Sequence, residues 1–208
     1  MTGSGERPPN VGIRGQFAPE ILFRERRTLL PKVNEWVARF EPNAALHCDK
    51  INEDIFSISL VSRRLRAAVN LADAGFGLSQ VLPLVVQGLY APKESLIIAE
   101  QPEIHLNPRL QAILADLFQQ VATAGRAVLV ETHSEHMLLR IRRLIAEGKL
   151  KPDDLSVLYV EKFGGKSTIR SIPIKKNAYI EKDVWPAGFF EDSLRESLAL
   201  ASAQTKVS

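Results

Sequence analysis

Residues 95–106 read Ser95-Leu96-Ile97-Ile98-Ala99-Glu100-Gln101-Pro102-Glu103-Ile104-His105-Leu106, a short apolar run with a polar end. The run over residues 96–99 is continuous, which predicts a central strand of a parallel sheet that is covered on both faces. The loop that follows contains proline, and Pro108 suits the first turn of a helix that is expected to reach about Thr123. The stretch therefore predicts a strand that ends at Glu100 and is followed by a helix.

A second apolar run repeats this pattern further along the chain. Residues 127–130 predict another buried strand, and Ser134 is expected to cap a helix that runs to Ile145 and is closed by Gly148. Strands and helices that alternate in this order are typical of an α/β fold. We therefore predict an α/β lobe with a mainly parallel central sheet flanked by helices.

Polar side chains follow both predicted strands. Ligands bind beyond the carboxyl ends of parallel strands, so both clusters are expected to open onto one crevice if the strands are neighbours. A carboxylate such as Glu100 suits Mg²⁺ there, and His133 suits contact with a terminal phosphate. The alternative is that Glu100 and His133 merely begin solvated loops. The clusters comprise Glu100, Gln101, Glu103 and His105 after the first strand, and Glu131, Thr132, His133, Ser134, Glu135 and His136 after the second.

A loop with two glycines precedes both strands. Residues 73–80 read Asp-Ala-Gly-Phe-Gly-Leu-Ser-Gln and lead into a helix that is expected over residues 78–90. Gly75 and Gly77 permit close backbone approach, and Ser79 is suited to cap the helix. Exposed amides at a helix N-terminus form an anion site. The alternative is an ordinary turn before a helix.

Less regular segments flank this region. Residues 1–17 are expected to be irregular, a helix is expected from Pro19 to Phe40, and residues 56–60 and 65–69 are expected to form a hairpin. Towards the C-terminus we expect strands over 155–160 and 168–174, an aromatic segment over 185–190 and a helix over 192–201. The predicted domains are an irregular segment (1–17), an α/β lobe (18–150) and a small C-terminal β/α extension (151–208).

The composition excludes several classes of protein. The chain has 208 residues, 45% of them hydrophobic, and a formal net charge of +3, which is ordinary for a globular protein and too small to indicate nucleic-acid binding by itself. No apolar run is long enough to span a membrane. The single Cys48 permits no internal disulfide and favours a cytoplasmic location. The sequence contains neither a cysteine pair nor a His-Glu-x-x-His motif, so Mg²⁺ is favoured over zinc as the metal.

Taken together, the quoted stretches resemble the C-terminal lobe of an ABC-type ATPase. More narrowly, the chain is similar to the prokaryotic AAA-like ATPases grouped with the overcoming-lysogenization-defect and chromosome-maintenance proteins. Residues 75–80 are similar to the signature loop, residues 95–106 to Walker B with the following D-loop, and residues 131–134 to the switch-histidine motif. Residues 185–190, Trp-Pro-Ala-Gly-Phe-Phe, also resemble the ending of one uncharacterised subgroup.

The resemblance implies ATP and Mg²⁺ as cofactors and gives the matching residues roles. Glu100 would hold Mg²⁺, and His133 would contact the γ-phosphate. Gln101 falls where many relatives have the catalytic Glu, and a neutral amide orients water but is a poor general base. Glu103 is an alternative for that step. The signature residues implied to complete the site across a dimer are Gly75, Gly77, Ser79 and Gln80.

The resemblance lacks one component, the Walker A loop. No Gly-x-x-x-x-Gly-Lys-Ser/Thr stretch occurs in the 208 residues, so no loop is present to cradle phosphates. A separate Walker A lobe or second ATPase subunit is therefore expected as a partner, with a homodimer or higher oligomer formed on ATP binding. A nuclease, DNA or RNA is a further expected partner, and no membrane is expected. The competing interpretations are a non-catalytic scaffold or dimerisation module and a transporter ATPase subunit.

Overall fold

The computed structural model describes residues 7–52, 55–62, 67–73, 76–181 and 184. Contacts between residues divide the chain into two compact units, Met1–Met137 and Leu138–Ser208. The domain bounds 18–150 and 151–208 stay predictions. The predicted aromatic segment (185–190) and final helix (192–201) lie outside the described residues, as does Gly75.

Two helices begin the first unit where a single helix was predicted. They are α1 (Ala18–Arg24) and α2 (Leu30–Phe40). Pro31 lies in the first turn of α2, where its missing N–H group is tolerated, whereas inside one continuous helix it would remove a hydrogen bond. The intervening residues form turns, and the Leu29 amide donates to the Glu25 carbonyl at 2.8 Å. The prediction of one helix was therefore wrong, although its apolar periodicity was right.

An antiparallel sheet follows, with the strand order β1-β2-β3. Its strands are β1 (Ala44–Lys50), β2 (Phe56–Ser62) and β3 (Ala67–Asn70). The pairing of β2 with β3 confirms the predicted hairpin. Strand β1 was not predicted, and it pairs with β2 along its whole length.

The remainder of the first unit alternates helices with parallel strands. Strands β4 and β5 pair in parallel, with Leu96 opposite Ala127 and Glu100 opposite Glu131. This arrangement confirms the predicted α/β class. The elements are α3 (Phe76–Tyr90), β4 (Leu96–Glu100), α4 (Pro108–Thr123), β5 (Ala127–Glu131) and the start of α5 (Glu135–Ala146).

The core of the first unit lies among the helices and the inner faces of its strands. Aliphatic side chains dominate it, since burial of apolar surface is the main favourable term in folding. Helices α1 and α2 both pack against α3, and α3 packs against α4. The most deeply buried large side chains are Ile21, Leu22, Leu46, Leu82, Leu114, Leu117, Val33, Val37, Val81, Val85 and Val86.

One face of the β4–β5 sheet is exposed within the described residues. Ile97 and Ala99 are buried, whereas Leu96 and Ile98 are 58% and 61% exposed. On the neighbouring strand Leu129 is 53% exposed. The prediction that β4 is covered on both faces is therefore wrong for the part of the chain described.

The second unit contains the rest of α5 and a β-hairpin. Strands β6 (Leu158–Phe163) and β7 (Lys166–Ser171) pair across the predicted turn at Gly164 and Gly165. Both strands lie closer to the turn than the predicted ranges 155–160 and 168–174, because the antiparallel pairing continues up to the turn. Both turn glycines have positive φ, 57° and 81°, which suits glycine. The buried residues of its core are Ile145, Ile172, Ile174, Ala178 and Ile180. Within the described ranges, no helix has the length and apolar character needed to cross a membrane.

Candidate functional site

The pairing of β4 with β5 places two carboxylates side by side at the carboxyl end of the sheet. Glu100 is the register partner of Glu131, and both side chains are exposed. The backbone pairing extends one residue further, because the Gln101 amide donates to the Glu131 carbonyl at 2.8 Å. The two polar clusters predicted from the sequence therefore meet at one edge of the sheet.

His133 lies at this edge with its imidazole accessible. Its side chain is 73% exposed, and Nε2 lies 3.4 Å from Oε1 of Glu131. A polar contact this exposed contributes little to stability. The imidazole is therefore open to a ligand beyond the sheet.

The turn after β4 has an uncommon backbone conformation. Gln101 has a φ of 44° and His105 a φ of 63°, both in the left-handed region that favours glycine. Hydrogen bonds inside the turn stabilise this conformation, since the Leu106 amide donates to the Glu103 carbonyl at 3.0 Å. Backbone strain of this kind is frequent at functional sites.

Glu103 is buried in this turn, being only 8% exposed, although the sequence placed it in a polar loop. Its Oε1 accepts a hydrogen bond from the His133 amide at 2.7 Å. Ser134 forms a second link, because its Oγ donates to Oε1 of Gln111 at 2.6 Å. Gln111 in turn donates from Nε2 to the Leu106 carbonyl at 2.8 Å. The loops after β4 and β5 are thus joined through side chains.

Residues 76–80, which belong to the segment that resembles a signature loop, lie in the first turns of α3. The helix begins at Phe76, two residues earlier than predicted, so Gly77, Ser79 and Gln80 are helical. Ser79 is therefore not the cap residue, contrary to the prediction. A Cβ atom on Gly77 would lie 3.7 Å from Cδ2 of Leu106, so this end of α3 approaches the loop after β4.

The two carboxylates at the carboxyl edge suit Mg²⁺ only if a bound phosphate group and water supply further oxygen ligands. Oxygen atoms of Glu100 and Glu131 are the donor type that Mg²⁺ prefers, and Mg²⁺ is usually bound by one or two carboxylates together with phosphates and water. Among the residues that the structure describes, no group of three or more His, Cys, Asp or Glu side chains could hold a metal ion. Cys48 lies elsewhere, in β1, and partial burial raises the pKa of its thiol to about 11.

Sequence reasoning missed Gln111 and the burial of Glu103. Gln111 lies in the first turn of α4, where the pattern predicts only a helix. A signal was available in the cap residue Asn107, because its side chain accepts from the Leu110 amide and fixes where α4 starts. The fixed start decides which way the Gln111 side chain points.

We expect Ser134→Ala to lower the free energy of unfolding by about 1 kcal/mol. Ser134 Oγ accepts from the Met137 amide at 3.0 Å, which caps α5 as predicted, and alanine would remove both this bond and the bond to Gln111. Urea unfolding measures the change, and Ser95→Ala is the comparison, because it removes a single solvent-exposed hydrogen bond to the Pro92 carbonyl and no helix cap. Equal stability of Ser134→Ala and wild type would show that the cap contributes nothing.

Solved structures of chromosome-maintenance (SMC) heads share this fold. One, from work on ATP-driven dimerization and DNA-stimulated activation of SMC ATPases, is 14% identical, with a TM-score of 0.55 over 74% of this chain and 89% of that chain. The head from Pyrococcus yayanosii with a coiled coil and joint is 15% identical, with a TM-score of 0.56 over 74% of this chain and 28% of that chain.

A third similar structure is an SMC head bound to the C-winged helix domain of ScpA. It is 14% identical, with a TM-score of 0.55, and the match covers 82% of this chain and 52% of that chain. At these identities the likeness establishes the fold alone. The search of curated proteins gives no match.

A family match covers most of the first unit. Residues 8–139 match the family described as "AAA domain, putative AbiEii toxin, Type IV TA system". The match includes the signature segment, the Glu100 strand and the His133 loop, and it spans well over half of the chain. The chain therefore belongs to this AAA-type ATPase domain family and has the fold of the SMC ATPase heads.

Proposed function

We propose that residues 18–150 form the C-terminal lobe of an ABC-type ATPase related to the overcoming-lysogenization-defect group. In this proposal the lobe supplies Glu100, the signature segment and His133 to a composite ATP site. The observation that carries it is the pairing of Glu100 with Glu131 at the carboxyl edge, with His133 beside Glu131. Membership of an AAA-type family supports nucleotide binding.

Each residue at the edge has a proposed role. Glu100 holds Mg²⁺, directly or through water, and His133 contacts the γ-phosphate. Bound Mg²⁺ would neutralise charge on the phosphates, while Gln101 orients water without serving as a strong base. The proposal predicts slow ATP turnover, because the neutral amide of Gln101 is a poor general base.

A second lobe is needed to bind the phosphates. The segments 100–105 and 131–136 contain no Lys or Arg, so the edge has carboxylates but no strong cation for ATP. The exposed face with Leu96, Ile98 and Leu129 is a surface that another layer would cover, since parallel sheets are usually buried on both faces. We propose that a Walker A lobe from outside these 208 residues covers this face. The protein that contains both lobes is called the assembled ATPase below.

ATP is proposed to drive dimerisation of the assembled ATPase. Gly75, Gly77, Ser79 and Gln80 would then contact the γ-phosphate held by the opposing subunit. A related structure comes from work on ATP-driven dimerization and DNA-stimulated activation of SMC ATPases, which supports testing DNA as an activator. The dimer is proposed to gate a nuclease or another nucleic-acid-processing or phage-defence partner in the cytoplasm.

Ser79→Arg should block ATP-driven dimerisation of the assembled ATPase and leave the isolated chain folded. Ser79 lies in the first turns of α3, half-buried, where a long cation would obstruct approach of an opposing subunit. Light scattering with ATP and Mg²⁺ measures the dimer. Ser95→Arg, at the opposite end of β4, is the matched control and should dimerise normally. Normal dimerisation of Ser79→Arg would argue against a signature role.

A second candidate function is a non-catalytic dimerisation module. The neutral Gln101 at the position of the expected base favours it. This candidate predicts ATP-dependent dimers of the assembled ATPase without hydrolysis, whereas the first candidate predicts both. Phosphate release measured on the same samples therefore separates the two.

A further inference from the structure

Glu103 is the one carboxylate of the candidate site that is removed from solvent. Its exposed fraction is 8%, whereas Glu100 and Glu131 are both exposed. One oxygen, Oε1, accepts from the His133 amide at 2.7 Å. The other, Oε2, is buried and has no hydrogen-bond partner among the residues that the structure describes.

This geometry argues against Glu103 as the general base. A base must lie within hydrogen-bond reach of the proton that it accepts, or reach it through one water molecule. Oε2 of Glu103 is covered by protein, and Oε1 already accepts a main-chain hydrogen bond. The proximity of Glu103 to Gln101 in sequence therefore does not make it a replacement for the missing catalytic Glu.

The same geometry suits Glu103 to hold residues 131–134, the loop that resembles the switch-histidine motif. We propose that Glu103 is a positioning residue that fixes the main chain of His133 relative to the turn that follows Glu100. The distance of 2.7 Å between Oε1 and the amide nitrogen is that of a well-formed hydrogen bond, which an oxygen acceptor at this position is sufficient to make. The link between Glu103 and His133 exists in the folded chain without nucleotide. Its effect on ATP turnover rests on the proposed function.

A second connection runs parallel to the first. Ser134 Oγ donates to Gln111, and Gln111 donates to the Leu106 carbonyl at the end of the same turn. Two neighbouring residues of the loop after β5 are therefore held by the chain around β4. The His133 amide is bound by Glu103, and the Ser134 hydroxyl is bound by Gln111. The turn after β4 and the loop after β5 are therefore joined at two points, by Glu103 with His133 and by Gln111 with Ser134.

Amide hydrogen exchange of the full 208-residue chain, followed by NMR, tests the link without any nucleotide. Glu103→Ala removes the acceptor and should speed exchange of the His133 amide about tenfold or more. Glu103→Gln keeps an oxygen acceptor and should leave the rate within about threefold of wild type. Glu103→Asp, whose side chain is one methylene shorter, should lose the protection.

Exchange of amides in the middle of α4 reports global opening and is the internal control. If Glu103→Ala raises those rates as well, Glu103→Gln and Glu103→Asp decide the question, with protection expected in the first and lost in the second. Unchanged exchange at His133 in Glu103→Ala or Glu103→Asp would overturn the proposal. Loss of protection in Glu103→Gln equal to that in Glu103→Ala would overturn it too.

Turnover of the assembled ATPase provides the second readout. As a positioning residue, Glu103 predicts that Glu103→Gln retains turnover within about threefold, whereas a general base predicts a loss of about a hundredfold. If wild type itself hydrolyses no ATP, the proposed function fails while the exchange result still decides the link. Failure of the link and failure of the ATPase proposal are therefore distinguishable.

Discussion

Glu100→Gln is expected to lower ATP turnover of the assembled ATPase about a hundredfold or more. The substitution keeps the size of the side chain and removes the negative charge proposed to hold Mg²⁺. A bound metal stabilises the transition state by several kcal/mol, and every 1.4 kcal/mol lost is about tenfold in rate. Turnover should be measured as phosphate release over a range of Mg²⁺ concentrations.

The fold should tolerate this change, because Glu100 is exposed at the end of β4 and its pairing partner is another carboxylate. Thermal unfolding of the variant is expected to match wild type closely, as for other surface substitutions. Glu35→Gln makes the same chemical change at an exposed position on α2 and should retain full turnover. Full turnover in Glu100→Gln at every Mg²⁺ concentration would remove Glu100 from the site.

His133→Ala is the second change with a large expected effect. Loss of one well-placed group that contacts developing charge commonly costs about 10² to 10³ in turnover, and we expect a loss in that range. The alanine variant keeps the main-chain amide that Glu103 holds, so the experiment isolates the imidazole. Single-turnover phosphate release should show a slow chemical step with nearly normal ATP binding.

His47→Ala provides the matched control for this histidine. His47 is an exposed residue of β1 and lies outside the candidate site. Its replacement should leave the chemical step unchanged. Equal rates in His133→Ala and His47→Ala would mean that the switch-histidine assignment is wrong, whatever the effect at Glu100.

The sequence predicted the parallel strands because their apolar runs are short, continuous and followed by polar clusters. The pairing of Glu100 with Glu131 follows from that pattern once the strands are neighbours. The cap at Ser134 was equally readable, since a hydroxyl residue before a helical pattern has a specific physical role. These local signals do not depend on distant residues.

Features that depend on distant contacts were not readable. Strand β1 (Ala44–Lys50) has only one large apolar side chain, Leu46, and its residues pair with β2 along the whole strand. The break between α1 and α2 was missed because apolar residues recur at helical spacing on both sides of it, although Pro31 suits the first turn of a new helix. The burial of Glu103 depends on how its turn packs against the His133 loop, which no local pattern encodes.

The exposure of one face of β4 was also unpredictable from the strand itself. A continuous apolar run is compatible with cover on both faces, and only the arrangement of neighbouring elements decides whether cover is present. Leu96 and Ile98 are exposed beside Leu129 within the described residues. This surface, together with the absence of a Walker A stretch from the 208 residues, is the reason for proposing a second lobe.

Calorimetric titration of this chain alone with ATP and Mg²⁺ tests the central claim most directly. The chain should first be shown to unfold cooperatively, so that a missing signal cannot be attributed to an unfolded sample. The account predicts no binding tighter than about 1 mM, an affinity worth only about −4 kcal/mol, because the edge provides carboxylates and a histidine but no phosphate cradle. Micromolar binding would contradict the account, since it would require a complete ATP site within these 208 residues.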